Sequence, residues 1–134
     1  MAQIVAADTR RALSIRRIPG LAPGRSAACA YGGLAWAVAT DLANSPTMAE
    51  QTRAALGRLE GLLREAGTSR ENILSATVYV TDLKHREEMD REWRSWLGDN
   101  PDHWPQRACI AVGLPPGTLV EIAVIAACHA SENV

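Results

Sequence analysis

Residues 104–128 contain three side chains whose types could do chemistry together: Arg107, Cys109 and Glu121. Arginine presents a planar fork of donors that grips a carboxylate through two parallel hydrogen bonds. A carboxylate can place a water for attack or shuttle a proton to a leaving group. A thiol can line a pocket wall or act as a nucleophile, but no histidine stands at a spacing that would activate Cys109, so the wall is the expected role. Both charges interrupt otherwise apolar runs, where a charge needs a partner or a purpose. An interface salt bridge to a neighbouring subunit's Glu or Asp is the plain structural alternative for Arg107, and a buried partner for a basic side chain is the alternative for Glu121.

The elements that must position these residues read as two strands, 106–112 and 118–128, joined as a hairpin by Leu114-Pro115-Pro116-Gly117. Side chains two apart on a strand share a face. Arg107, Cys109 and Ala111 therefore lie on one side of the first strand, and Leu119, Glu121, Ala123 and Ile125 on one side of the second. A register with Cys109 across from Glu121 would aim all three functional groups the same way. A slip of one residue would separate them, and the long turn does not fix the register.

Upstream, residues 13–18 read as a short edge strand after a loose arm over 1–12. Runs 25–31 and 34–39 flank Gly32-Gly33, a hairpin signal. Residues 47–66 predict a helix: Thr47 and Glu50 have capping-box spacing, apolar residues recur at three and four, and Gly67 stops it. Residues 73–81 alternate, with Leu74, Ala76, Val78 and Val80 on one face and Ser75, Thr77 and Tyr79 on the other. The mixed face suits either solvent or the inside of an oligomer. Asp82 is a candidate cap for a second helix over 83–97, with an apolar stripe of Met89, Trp93, Trp96 and Leu97. The order is two strands, helix, strand, helix, two strands. That suits an α+β sandwich with helices on one sheet face; a doubled β-α-β arrangement would give the same pattern.

The chain has 134 residues, of which 47% are apolar, which points to a single domain, 1–134, with a real core. A formal charge of −1 supplies no pull toward nucleic acid or acidic membranes. The three cysteines, Cys29, Cys109 and Cys128, form neither a disulfide framework nor a zinc pattern. His85, His103 and His129 are scattered without metal-ligand spacing and read as surface residues. No signal-peptide core and no membrane-length apolar run stands in the sequence, so a reducing cytoplasm is the expected location.

The segment PQRACIAVGLPPGTLVEIAVIA resembles the C-terminal signature of the Rid (reactive intermediate deaminase) family, also labelled the endoribonuclease L-PSP family. The likeness runs through the whole chain, including the hairpin around Gly32-Gly33 and the Met-Asp-x-x-Trp segment at 89–93. Two places differ: Val38-Ala39-Thr40 stands where most members have Ser-Gly-Gln, and Asp90 where they have asparagine. The resemblance implies a chorismate-mutase-like fold with a mixed sheet packed by two helices, assembled as a homotrimer with a site in each cleft between subunits. It further implies that Arg107 holds the carboxylate of a 2-imino or 2-enamino acid and that Cys109 lies on the pocket wall, which leaves Glu121 as the candidate for positioning water or shuttling a proton to the departing nitrogen. The activity it implies is that of a 2-iminobutanoate/2-iminopropanoate deaminase-like hydrolase needing no metal or organic cofactor. Two other readings stand beside it: a non-catalytic trimer binding small carboxylates, and a ribonuclease, for which the sequence offers no basic stripe, paired histidines or metal carboxylates.

Overall fold

The computed structural model describes residues 14–128. The predicted arm over 1–12 and His129 lie outside the described residues. The strands are β1 (Arg16–Pro19), β2 (Ser26–Tyr31), β3 (Leu34–Ala39), β4 (Ile73–Val80), β5 (Gln106–Ala111) and β6 (Val120–Ala127), and the helices α1 (Met48–Glu65) and α2 (Arg86–Leu97). The six strands form one sheet in the order β1-β2-β3-β6-β4-β5. All neighbours are antiparallel except β4 and β5. Both helices pack on one face, which gives the expected α+β architecture.

Local signals account for most of this frame. Gly32 and Gly33 sit at φ 60° and 83°, the left-handed pair that a two-residue hairpin between β2 and β3 requires. Thr47 caps α1 by accepting a hydrogen bond from the Glu50 N–H at 3.1 Å. At the other end Gly67, at φ 89°, lets Thr68 N–H reach back to the Leu63 carbonyl. Leu56, Leu59 and Leu63 of α1 are fully buried with Met89 of α2 against Val78, Val80, Val120 and Ile122 of the sheet. Each such side chain contributes about 2 kcal/mol of burial. The alanines Ala35, Ala37 and Ala39 of β3 let the helices approach closely.

The expected hairpin between the last two strands does not form. β4 lies between β5 and β6, and β5 runs parallel to β4 after a crossover through α2. The composition of the strands explains the correction. β6 buries every second residue, Val120, Ile122, Val124 and Ala126, and takes a central place. β5 carries Arg107 and Gln106 and is tolerated at the edge. The alternation in β4 also breaks where its pairing with β6 shifts between Ile73 and Ser75. That bulge buries Ile73 and turns Leu74 out to solvent, the reverse of the expected face for Leu74. The second helix divides into a 3-10 turn, Leu83–His85, capped by the Asp82 carboxylate, followed by α2 proper.

Candidate active site

Register decides which functional groups meet. Arg107 and Cys109 pair with Ala76 and Val78 of β4, both core residues, so both point to the helix-covered face. Glu121 pairs with Tyr79 and stands between the buried Val120 and Ile122, so it points to the open face. Within one chain the structure brings Arg107 and Cys109 together and leaves Glu121 on the other side of the sheet. The register with Cys109 opposite Glu121 is therefore excluded.

Arg107 is held by α2. Its Nη1 lies 2.7 Å from Asp90 Oδ1, and the two side chains are only 17% and 13% exposed. The approach is off the direction of an N–H, so Oδ1 has no hydrogen-bond donor despite the proximity. Arg86 Nε approaches the other oxygen of Asp90 at 3.5 Å. The guanidinium also reaches Met89 Sδ at 3.8 Å and lies over the Trp93 ring, 5.4 Å from its centroid. Both contacts from atoms of the fork, to Asp90 and to Met89, use Nη1. The edge formed by Nε and Nη2 has no acceptor among the described residues. Arg107 lines a hollow of about 310 Å³ with Asp90, Trp93, Leu97 and the loop carrying Trp104 and Pro105. Trp104 is exposed and tethered through its indole N–H to the Gly98 carbonyl at 3.0 Å, a roof at the mouth of the hollow.

The sequence marked Asp90 only as a departure from the family's asparagine, yet its carboxylate stands 2.7 Å from Arg107. The signal was present in the helix: Arg86, Asp90 and Trp93 recur at four and three, so they share one face of α2. Cys109 packs against the core rim. Burial pushes its thiol up, beyond what the guanidiniums of Arg86 and Arg107 pull down, and Asp90 adds to the rise. A protonated, half-buried thiol suits a wall rather than a nucleophile.

Glu121 lines a second hollow, of about 440 Å³, at the rim where β2, β3 and β6 meet the loops. Val38, Ala39 and Thr40 stand here, together with Arg25, Arg58 and Thr118. Buried Gln51 fixes the loop leading to Glu121. Its amide donates to the Ser45 and Gly117 carbonyls and accepts from Leu119 N–H, each at 2.8 Å. The open face between the hollows is largely apolar, with a shallow cavity of about 340 Å³ lined by Cys29, Trp36, Thr77 and Ile125. Among the described residues no cluster of three His, Cys, Asp or Glu could hold a metal ion, and no helix is long and apolar enough to cross a membrane.

Comparison with known proteins places this arrangement. The family model described as Endoribonuclease L-PSP matches residues 22–128. A RutC family protein of Haemophilus ducreyi is 35% identical over 101 residues, 72% of this chain and 83% of the relative. A RutC family protein of Haemophilus influenzae is 35% identical over 82 residues, 59% of this chain and 67% of the relative. Among solved structures, a member of the YjgF protein family from Neisseria meningitidis superposes with a TM-score of 0.78 at 30% identity, over 87% of this chain and 97% of that one. The chain belongs to the endoribonuclease L-PSP family, the YjgF/Rid family of the sequence resemblance.

Proposed function

We propose that this chain is an enamine/imine deaminase that hydrolyses small 2-imino or 2-enamino acids to 2-keto acids and ammonia. The observation that carries the reading is the guanidinium of Arg107 in a hollow, with Nη1 2.7 Å from Asp90 and an Nε–Nη2 edge that meets no acceptor among the described residues. That edge is a bidentate carboxylate grip. Glu121 lies on the opposite face of its own sheet, so the reaction needs Arg107 of one copy beside Glu121 of the next. A homotrimer whose largely apolar open faces meet would provide this, and the family resemblance implies it. Water adds its oxygen to the imine carbon with Glu121 guiding a proton toward nitrogen. The C–N bond then breaks, the carbonyl forms and ammonia leaves, with no redox step. An imine carbon is already electrophilic, so orientation and exclusion of bulk water suffice.

The test is ammonia release from imino acids generated in situ by an amino-acid oxidase, with Arg107→Ala as the decisive variant. Turnover equal to wild type in that variant overturns the assignment. One observation favours a second reading, a non-catalytic trimer that binds small carboxylates: the Asp90 carboxylate already sits on Arg107, where it competes with a ligand. Calorimetric binding of a carboxylate together with no ammonia release selects that reading. The ribonuclease reading draws support from the family's label alone, and retention on single-stranded RNA at moderate salt would revive it.

A further inference from the structure

We propose that the rim hollow beside Glu121 is a subsite for a second anionic group. The preferred ligand would then be a small dianion, a dicarboxylic 2-imino or 2-keto acid, rather than one with an alkyl side chain. The first carboxylate is placed by the preceding reading of Arg107; the second is placed by different residues.

Arg25 and Arg58 line the hollow of about 440 Å³ together with Glu121. Elsewhere on the surface the guanidiniums of Arg53, Arg70 and Arg94 have carboxylate partners, Glu92, Glu60 and Glu87. Arg25 and Arg58 have neither an ion pair nor a side-chain hydrogen bond among the described residues. For Arg58 the sequence explains this. Its helical neighbours at three and four are Ala54, Ala55, Gly61 and Leu62, none of them acidic, so α1 offers its half-buried guanidinium no counter-charge.

Arg25 is held at the lip by a close backbone approach. Gly20 packs so tightly that an added Cβ would stand 2.6 Å from the Arg25 carbonyl oxygen. Two guanidiniums against the single carboxylate of Glu121 leave the hollow with one positive charge in excess. The hydroxyls of Thr40 and Thr118 add hydrogen-bonding capacity, and Val38 supplies an apolar wall. A hollow of this volume accommodates a ligand of a few carbons. Fork-shaped donors without internal acceptors recognise carboxylate best. A neutral alkyl chain would leave both arginines facing it without compensation.

The test is calorimetric titration of the full chain with 2-oxobutanoate, which has one carboxylate, and 2-oxopentanedioate, which has two, at low salt. The expected result is at least tenfold tighter binding of the diacid, with the preference shrinking as salt rises. Arg58→Gln and Arg25→Gln each narrow the ratio at least threefold, and the double variant removes it. Arg53→Gln, on the same helix but paired to Glu92, leaves the ratio intact. Arg58→Lys, which keeps the charge and loses the fork, retains part of it. Equal affinities in the wild-type protein overturn the proposal. So does a ratio that survives the double variant, or a double variant that changes only the oligomeric mass. Arg107→Ala separates the two readings: undiminished binding of both acids there defeats the role given to Arg107, whereas the ratio between them still reports on Arg25 and Arg58 alone.

Discussion

Arg107 and Arg58 both place a guanidinium in a shallow hollow, the first at the β5 edge of the sheet and the second where β2, β3 and β6 meet the loops. Arg107 has an internal acid 2.7 Å away, an indole face beneath it and a second arginine behind that acid. Among the described residues Arg58 has none of these. The first arrangement is pre-organised. Its fork is held in one orientation before any ligand arrives, so little side-chain entropy is lost on binding. The second is unsatisfied and adaptable, which suits a contact that selects among ligands more than one that orients a reacting bond. On the proposed reading, the guanidinium that aims the substrate is the one supported from behind, and the one that senses charge is the one left without an internal partner among the described residues.

The largest effect that would break this contrast is at Arg107. Arg107→Ala is expected to lower kcat/KM for imino-acid hydrolysis by a factor of about 100 or more, equivalent to about 3 kcal/mol of transition-state stabilisation. It also strips Asp90 of its nearest charge, at a cost of roughly 2 kcal/mol in stability. The double variant Arg107→Ala/Asp90→Ala separates the two losses. Chemical denaturation should show recovered stability, while ammonia release stays low. Recovered turnover in the double variant would mean that Arg107 matters only as a partner for Asp90.

Next in size is the scaffold of the other hollow. Gln51→Leu removes three hydrogen bonds and leaves Leu119 N–H and two carbonyls without partners. The expected cost is about 3 kcal/mol, read as a fall in Tm of roughly 10 °C. The affected loop leads to Thr118 and Glu121, so the rim hollow should lose ligand preference before the Arg107 hollow loses anything. Equal damage to both would show that they are one cooperative unit.

These two regions were legible in the sequence to different degrees. The frame was largely readable because its signals are local: Gly32-Gly33 demands a left-handed hairpin, Thr47 and Gly67 punctuate α1, and the stripe of Leu56, Leu59 and Leu63 fixes its buried face. The order of the strands was not, because sequence proximity suggested that β5 pairs with β6. The insertion of β4 between them depends on tertiary burial, which favours the most apolar strand at the centre. That one non-local choice sent Arg107 and Glu121 to opposite faces. The Leu74 bulge was invisible for the same reason, since a bulge belongs to a pair of strands. Asp90 was legible as a neighbour of Trp93 on α2 and illegible as the partner of Arg107, 17 residues away in a different element.

A smaller effect sharpens the contrast at its origin. Asp90→Asn keeps the shape of the side chain and removes its charge, so Arg107 no longer has an internal competitor. Affinity for a monocarboxylate such as 2-oxobutanoate is expected to rise three- to tenfold, about 1 kcal/mol. Calorimetry reads this directly, and unchanged affinity would mean that the ligand joins Asp90 on the guanidinium instead of displacing it.

The smallest effect concerns the turn that anchors the rim hollow, and it carries a pH signature. Asp41 is buried, and its carboxylate accepts from Ala43 N–H at 2.9 Å and Ser45 N–H at 2.8 Å. The Ser45 side chain first, and then these backbone donors, hold its pKa below the ordinary carboxylate value against the opposing effect of burial. A folded-state pKa below the unfolded one stabilises the fold once the carboxylate is ionised in both states. That contribution is complete above the unfolded value, near 4, and is lost as pH falls toward the folded value. Wild type should therefore exceed Asp41→Asn in Tm at pH 7, and the gap should close below about pH 4. Ligand preference at the rim should weaken over the same interval, because the 40–45 turn carries Thr40 and Leu42 of the hollow. Asp41→Asn should leave monocarboxylate binding at the Arg107 hollow unchanged at pH 7, so a loss of binding there would show that the two hollows are coupled.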